Sequence, residues 1–247
     1  MSQARSFGSL TGPTVEGVFS GQIRVALIGC GHAGVPIAVA LSKAGAAVCG
    51  FDTSVARVRA LSSGCDDHFA ADELAGICWT NDPSMLREVR CFVVVVPTPS
   101  MTGTTGSVDL SCLLAATEQV GKVLKHGDAV IFESTVYPGC TEENCAPVLE
   151  KVSGLSRGGD FHLCFAPERI NPGDKTRGLA DIVRVVSGCD ASSLNFADAL
   201  YSRVTPAGIH RAASLRVAEA AKLSENVRLA THPPTPNTAP QHDRSSI

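Results

Sequence analysis

Short apolar runs alternate with amphipathic segments along most of this chain. Runs without a polar period, such as the four consecutive valines at residues 93–96, are typical of parallel strands buried on both faces. The runs predict strands at residues 23–28, 46–51, 91–97, 129–134, 161–167 and 182–188. Apolar positions at helical spacing predict helices at residues 32–44, 54–64, 83–90, 108–127, 138–154, 191–204 and 212–229. This alternation predicts an α/β fold, a Rossmann-type doubly wound parallel sheet, with ligands beyond the carboxyl ends of the strands.

The same pattern divides the chain into four segments. Residues 1–21 have few side chains to pack, and we expect them to be flexible. Residues 22–207 hold the predicted sheet and its helices, and residues 208–229 begin one further helix. Residues 230–247 are rich in proline and poor in bulky apolar side chains, so we expect a disordered tail.

Composition and charge exclude several classes of protein. The chain has 44% apolar and 18% charged residues, which is typical of a soluble globular protein, and its net charge of −3 argues against a nucleic-acid partner. Residues 25–42 lack charged side chains, but three glycines, a proline and a histidine argue against a membrane span. Ten cysteines show neither CxxC nor zinc-finger spacing, which indicates reduced thiols in a cytoplasmic protein without a metal site.

The first strand-to-helix turn has the glycine spacing of a dinucleotide-binding motif. The sequence GCGHAG provides Gly29, Gly31 and Gly34. The first glycine would permit the tight turn, the second the close approach of a pyrophosphate, and the third close packing of helix on strand. His32 and Ala33 lie in the same turn, where free N–H groups of the following helix can face the phosphates. The alternative interpretation is a plain strand-to-helix turn.

An acidic residue ends the second predicted strand. Asp52 lies 18 residues after Gly34, where a carboxylate can bind both ribose hydroxyls of a dinucleotide. It favours NAD over NADP as the cofactor, because a 2′-phosphate would be repelled. Arg57 and Arg59 follow closely, and we interpret them as charges on a helix surface.

Two later strand-end loops carry polar candidates for chemistry. Thr135 follows a predicted strand, where its hydroxyl would face a nicotinamide, although a threonine there can also cap the next helix. Glu168 and Arg169 follow another strand, and their alternative interpretation is a surface ion pair.

The last predicted helix carries a lysine and an asparagine on one face. Lys222 and Asn226 are four residues apart, so both side chains could converge on one oxygen and stabilise a developing alkoxide. Their spacing alone equally fits an exposed polar face, with Glu219 and Glu225 nearby.

Six motifs occur in one order between residues 23 and 229. They are VALIGCGHAGVPIAVALSKAGAAVCGFD, VVVPTP, ESTVYPGCTEE, APERINPGDK, VVSG and AEAAKLSEN. In this order the chain resembles the UDP-sugar 6-dehydrogenases, which comprise the UDP-glucose and UDP-N-acetylhexosamine dehydrogenases of polysaccharide synthesis. Its PERINPGDK motif is most similar to the branch acting on UDP-N-acetylglucosamine or its relatives.

The resemblance implies an activity and a set of roles. Enzymes of this family oxidise the sugar C6 alcohol to a carboxylate with two NAD, through an aldehyde trapped on a cysteine, and a family-type homodimer is a possible assembly. Pro97 and Thr98 would line the NAD site, and Thr135 and Glu168 would hold a water and manage protons. The Lys222–Asn226 pair would stabilise the oxyanion at C6, on what the family has as a long central helix.

The chain departs from the family pattern after Asn226. The GGxCxPxD-type segment that carries the family's nucleophilic cysteine does not occur in this sequence, and neither Cys140 nor Cys189 has its context. We therefore expect an N-terminal, truncated part that binds NAD and performs little complete oxidation. A β-hydroxyacid dehydrogenase and a non-enzymatic NAD-binding module are the alternatives.

The same departure predicts a partly uncovered helix. If the last helix normally packs on a second domain or subunit, its apolar face would be partly uncovered here and would favour association. That predicted face consists of Leu215, Ala218, Ala221 and Leu229.

Overall fold

The computed structural model describes residues 12–99, 108–168 and 182–231, with side chains in the last helix up to Glu225. Its strands are β1 (Arg24–Ile28), β2 (Ala47–Phe51), β3 (Cys78–Thr80), β4 (Val89–Val94), β5 (Ala129–Phe132), β6 (His162–Phe165), β7 (Arg184–Gly188) and β8 (Ile209–Arg211). Its α-helices are α1 (Val15–Phe19), α2 (Gly34–Lys43), α3 (Val55–Ser62), α4 (Ala71–Leu74), α5 (Ser111–Gly121), α6 (Ala146–Ser153), α7 (Ala191–Ser202) and α8 (Leu215–Thr231). A 3₁₀ helix (Pro83–Glu88) precedes β4, and a π-helical turn (Thr141–Cys145) leads into α6.

All eight strands form one sheet, in the order β3-β2-β1-β4-β5-β6-β7-β8. The first six strands in this order match the strand order of a Rossmann fold. In that fold, β2 and β3 lie on one side of β1, and β4 and the strands after it lie on the other side. Every pairing is parallel except β6 with β7, which is antiparallel. The predicted doubly wound sheet is confirmed, and its ligand-binding edge lies where the loops after β1, β2, β4 and β5 meet.

Helices cover both faces of the sheet and enclose two apolar layers. One layer packs α2 and α7 against the sheet, with Leu27, Ile37 and Leu200 fully buried. The other packs α5, α6 and α8 against the opposite face, around residues such as Phe92 and Leu149. Successive residues of the parallel strands point to opposite layers, which explains why β1, β4 and β5 are apolar at almost every position.

Local capping follows the sequence closely. The predicted cap Ser54 accepts a hydrogen bond on its hydroxyl from the Arg57 N–H, at 3.2 Å, and begins α3. Asp82 accepts from the Ser84 N–H at 2.9 Å and Pro83 occupies the first turn, although that turn is 3₁₀ rather than α-helical. Gly45, with φ of +102°, ends the helix before β2, as the pattern predicted.

The start of the chain differs from the expected flexible segment. Residues 12–21 are ordered, and α1 is capped by the Thr14 hydroxyl, which accepts from the Gly17 N–H at 3.0 Å. Val18 is fully buried, and the Arg203 guanidinium lies 5.2 Å from the centre of the Phe19 ring. Five residues are too short for a helical period, so the pattern did not indicate α1. Residues 1–11 lie outside the described part.

The apolar face of the last helix is partly covered. Leu215 and Ala218 are buried against the sheet, whereas Ala221 is exposed, which agrees with a face that is partly uncovered. The Leu229 side chain lies outside the described residues. β8 pairs with β7, and α8 packs in the same apolar layer as α5 and α6. The predicted tail at 230–247 also lies outside the described part, apart from the end of α8.

In the part of the chain that the structure describes, no helix is both long and apolar enough to span a membrane.

Candidate dinucleotide site

Three glycines shape the turn between β1 and α2. Gly29 has φ of +101°, and a Cβ there would lie 2.3 Å from the Val95 carbonyl oxygen. A Cβ on Gly34 would lie 2.0 Å from the Gly29 carbonyl oxygen, so both positions require glycine for the backbone itself. At Gly31 a Cβ would meet no atom within 4 Å. The fold therefore does not require the middle glycine, and the open space beside it is where a pyrophosphate would lie.

The turn presents the N-terminus of α2 to that space. Ala33, the residue immediately before α2, makes no side-chain capping hydrogen bond. Its side chain therefore does not cover the first N–H groups of the helix. His32 is exposed beside them. This environment suits an anion, because helix N-termini carry partial positive charge.

Asp52 links the turn to the end of β2. Its Oδ2 accepts a hydrogen bond from the Cys30 N–H at 2.8 Å, and its Oδ1 accepts one from the Ser54 N–H at the same distance. The carboxylate is therefore fixed at the edge of the predicted ribose site. Burial, and next the Asp52 charge, raise the pKa of the Cys30 thiol well above its usual range, which keeps that thiol neutral.

The interpretation of Arg57 as a surface charge is wrong. Its Nε donates to the Cys30 carbonyl oxygen at 2.8 Å, and its Nη2 donates to Asp66 Oδ2 at 2.7 Å. Arg57 lies in the first turn of α3, and helical side chains point towards the helix N-terminus, which directs this one back to the end of β2. The place of Arg57 in the first turn of the predicted helix was therefore the feature of the sequence that indicated this contact. The guanidinium borders a cavity of about 290 Å³ that His32 and Asp67 also line.

The loops after β4 and β5 are held together at the same edge of the sheet. Thr98 donates from its hydroxyl to the Thr135 carbonyl oxygen at 2.6 Å, which joins two predicted site residues. Ser134 accepts from the Val96 N–H at 3.0 Å and donates to the Val96 carbonyl oxygen at 2.7 Å. Thr135 does not cap the next helical segment, which begins after Cys140. Pro97 is exposed at the start of the loop.

Glu168 is a nearly buried acid rather than a surface residue. Its side chain is 12% exposed, and its Oε2 lies 3.9 Å from Arg184 Nη1. Its backbone N–H donates to the Glu133 carbonyl oxygen at 3.4 Å, which holds this loop beside the end of β5. The alternative interpretation paired Glu168 with Arg169 at the surface. Arg169 lies outside the described residues.

A buried ionic group lies behind these loops, and the sequence did not reveal it. Arg184 donates from Nη2 to Glu133 Oε2 and to the Ala166 carbonyl oxygen, and Tyr201 donates its hydroxyl to Glu133 Oε1. The guanidinium also stacks 4.3 Å above the Tyr201 ring centre. Burial raises the pKa of Glu133 to about 7, although the Arg184 charge opposes that rise. One feature of the sequence could have indicated this group: an arginine lies inside the apolar run of β7, and arginine is rarely buried without a partner.

The helix that carries Lys222 is attached to the loop after β5 by a buried acid. Glu219 is fully buried, accepting from the Gly139 N–H and, at 2.9 Å, from the Thr141 N–H. Burial raises the pKa of Glu219, and the hydrogen bonds from this loop oppose the rise. Lys222 is half-buried one turn later, and the side chain of Asn226 lies outside the described residues. Glu219 is thus not part of an exposed polar face.

Comparison with known proteins supports the fold and the predicted cofactor. A sequence model of the NAD-binding domain of the UDP-glucose/GDP-mannose dehydrogenase family matches residues 23–205. The chain is 43% identical over 211 residues to UDP-N-acetyl-D-glucosamine 6-dehydrogenase of Pseudomonas aeruginosa, covering 83% of this chain and 49% of that protein. It is 39% identical over 212 residues to the enzyme of the same name from Salmonella typhi, covering 84% and 49%. The chain therefore spans about half the length of these curated relatives.

Solved structures agree with the sequence relatives. The chain is similar to UDP-D-ManNAc dehydrogenase of Pyrococcus horikoshii, with a TM-score of 0.76 and 30% identity over 83% of this chain and 50% of that one. The 3-hydroxyisobutyrate dehydrogenase of Mycobacterium tuberculosis, at 18% identity and a TM-score of 0.57, shares the fold alone. The β-hydroxyacid dehydrogenase alternative thus has no support beyond the fold. The family model, the predicted cofactor NAD and the glycine-rich turn agree, and the chain belongs to the UDP-glucose/GDP-mannose dehydrogenase family, whose NAD-binding domain it contains.

Proposed function

We propose that this chain is the NAD-binding part of an enzyme that oxidises the C6 alcohol of a UDP-sugar to the uronic acid for polysaccharide synthesis. UDP-N-acetylhexosamine is favoured over UDP-glucose as the substrate, on the PERINPGDK motif and the relatives at 39–43% identity. The observation that carries the proposal is the meeting of the glycine-rich turn, Asp52 and the Thr98–Thr135 contact at one edge of the sheet. Bound NAD would supply the hydride acceptor.

The described residues suit the binding of this cofactor. The open space at Gly31 and the N-terminus of α2 would hold the pyrophosphate, with the backbone of His32, Ala33 and Gly34 around it. The fixed carboxylate of Asp52 would bind the adenosine ribose. The Cys30 N–H already joins the turn to Asp52 by a hydrogen bond, so little reorganisation of the two is needed on binding.

The nicotinamide end would lie near the loops after β4 and β5. Because the Thr98 hydroxyl fixes the main chain of Thr135, the Thr135 hydroxyl stays at the end of β5, where it would hold a water or the sugar hydroxyl. Glu168 would manage protons from the neighbouring loop. Lys222 and Asn226, which share one face of α8, would stabilise negative charge on the C6 oxygen.

Complete oxidation to the acid needs more than these residues. The family's thioester-forming cysteine has no counterpart in this sequence, and Cys140, in the segment after β5, is fully buried. We propose a cytoplasmic location, because the cysteines lack CxxC spacing and several, such as Cys91 and Cys164, are small buried side chains of apolar strands.

Incubation of the chain with NAD and UDP-N-acetylglucosamine tests this proposal. We expect NAD to bind, and we expect no steady formation of NADH or of the uronic acid. Joining residues 1–229 to the remaining half of the Pseudomonas aeruginosa relative should give steady oxidation of UDP-N-acetylglucosamine, because the chain then supplies the cofactor site. Steady turnover by the chain alone would refute the proposal that these residues cannot complete the oxidation. A folded but inert chimera would refute the substrate proposal.

Replacing Gly31 with alanine should weaken NAD binding without lowering stability. A Cβ at this position meets no protein atom within 4 Å, but it would occupy the space through which the pyrophosphate approaches. We expect the Kd for NAD, measured by isothermal titration calorimetry, to rise about tenfold or more, with a change in unfolding free energy within about 0.5 kcal/mol.

Gly34→Ala is the matched comparison for that variant. The added Cβ would lie 2.0 Å from the Gly29 carbonyl oxygen, so this variant should lose stability in urea denaturation as well as NAD affinity. An unchanged Kd for Gly31→Ala would place the pyrophosphate elsewhere.

A further inference from the structure

Arg57 lies where an enzyme specific for NADP would use an arginine. The main chain of Cys30 connects it to Asp52, because Asp52 accepts from the Cys30 N–H and Arg57 donates to the Cys30 carbonyl oxygen, both at 2.8 Å. The guanidinium therefore borders the predicted adenosine ribose. In dinucleotide-binding folds, an arginine near this position accommodates the 2′-phosphate of NADP.

A second acid holds that arginine in this structure. Asp66, in the loop after α3, accepts from Arg57 Nη2 at 2.7 Å, and its own side chain is only 5% exposed. Asp66 Oδ1 also accepts from the His68 N–H at 2.9 Å, which fixes the orientation of the carboxylate. Burial raises the pKa of Asp66, but the hydrogen bonds from His68 and Arg57 together lower it below its usual value, so the carboxylate is charged at neutral pH.

We propose that Asp66 determines the preference of this chain for NAD over NADP, by holding and neutralising Arg57. Asp52 alone would repel a 2′-phosphate, but a free Arg57 beside it would attract one. With Asp66 in contact, the Arg57 charge is compensated and its Nη2 donor is used, so the repulsion by Asp52 prevails. This inference rests on the proposed binding of NAD at the glycine-rich turn.

Asp66→Asn tests the proposal through binding alone. The asparagine keeps the size of the side chain and removes its charge, which releases the Arg57 charge for a 2′-phosphate. We expect the Kd for NADP, measured by calorimetry on the full chain, to fall about tenfold, as one charge-assisted contact would give, while the Kd for NAD changes less than about threefold.

Asp67→Asn is the matched control. Asp67 is exposed, lines the same cavity and carries the same charge, so this variant changes the net charge equally while the Arg57–Asp66 contact stays intact. We expect the ratio of the two Kd values to be unchanged. If Asp67→Asn improves NADP binding as much as Asp66→Asn does, a general charge effect explains the result and the proposal fails.

Arg57→Met establishes whether the effect passes through the arginine. In the Asp66→Asn background, this second substitution should abolish the gain in NADP affinity, whereas in the wild-type background it should change NADP affinity little. Circular dichroism confirms folding of each variant, and Asp66→Ser replaces Asp66→Asn if the latter does not fold. NAD binding with an unchanged Kd ratio overturns this inference only; absence of NAD binding by the wild type overturns the proposed function as well.

Discussion

Replacement of Arg184 by methionine is expected to lower the free energy of unfolding by about 3–5 kcal/mol. The arginine side chain is 3% exposed, and it is the cation beside the fully buried Glu133 carboxylate. Methionine fills much of the same volume but leaves the carboxylate, among the described residues, with the neutral Tyr201 hydroxyl as its side-chain donor. A buried charge that loses its partner keeps its desolvation cost, which explains the large effect.

The loss should increase with pH. Glu133 has a folded-state pKa of about 7 against 4.5 for an ordinary glutamate, so its contribution to stability is complete below about pH 4.5 and falls as pH rises. In the wild type this decline ends near pH 7. Removing the Arg184 charge, which lowers the Glu133 pKa, raises that pKa further, so the variant continues to lose stability above pH 7 and the difference between the proteins widens.

Urea denaturation of both proteins at pH 6 and pH 8 measures this difference. Arg211→Met, on the neighbouring strand β8, is the matched control, because its ion pair with Asp198 has side chains 44% and 26% exposed and exposed pairs contribute little. A loss for Arg184→Met no larger than that of the control, or one that shrinks at higher pH, contradicts the buried ion pair.

Glu219→Gln is expected to cost about 3 kcal/mol of unfolding free energy and to loosen α8. The carboxylate accepts from the Gly139 and Thr141 N–H groups in a fully buried position. An amide has one acceptor oxygen, so its NH₂ group would face one of these donors and leave it unsatisfied. Because Glu219 attaches α8 to the loop after β5, Lys222 should also lose its fixed position.

Chemical denaturation and amide hydrogen exchange check this prediction. Exchange should accelerate at residues 139–141 and along 215–225, which the Glu219 contact holds together. Glu118→Gln is the control, since this residue is on the helix α5, is 52% exposed and contacts Lys122 four residues away. If α8 exchanges at the wild-type rate in Glu219→Gln, the buried contact does not hold the helix.

Much of the architecture could be predicted from local pattern. The apolar runs of β1 and β4 and the turn at Gly29 each carry a signal within a few residues, and those signals agree with one another. The strands that escaped prediction, β3 and β8, have three residues each, which is too few for a periodic pattern. The short helix α1 escaped for the same reason.

The contacts behind the site could not be predicted in this way. Arg184 and Glu133 are 51 residues apart in the chain, and Glu219 is 80 residues from Gly139. A single sequence shows which residue types occur, but the partner of a buried charge depends on which strands become neighbours. Arg57 is an intermediate case, because its position in the first turn of α3 was visible, whereas its contact with Asp66 was not.

The two outer strands have a consequence for how the molecule behaves at high concentration. Both edges of the eight-stranded sheet are only three residues long, Cys78–Thr80 on one side and Ile209–Arg211 on the other. Each edge offers few unpaired N–H and C=O groups, and Arg211 places a charge at the end of one of them. Such edges disfavour the addition of a strand from another polypeptide, so the sheet is protected against growth into fibrillar aggregates.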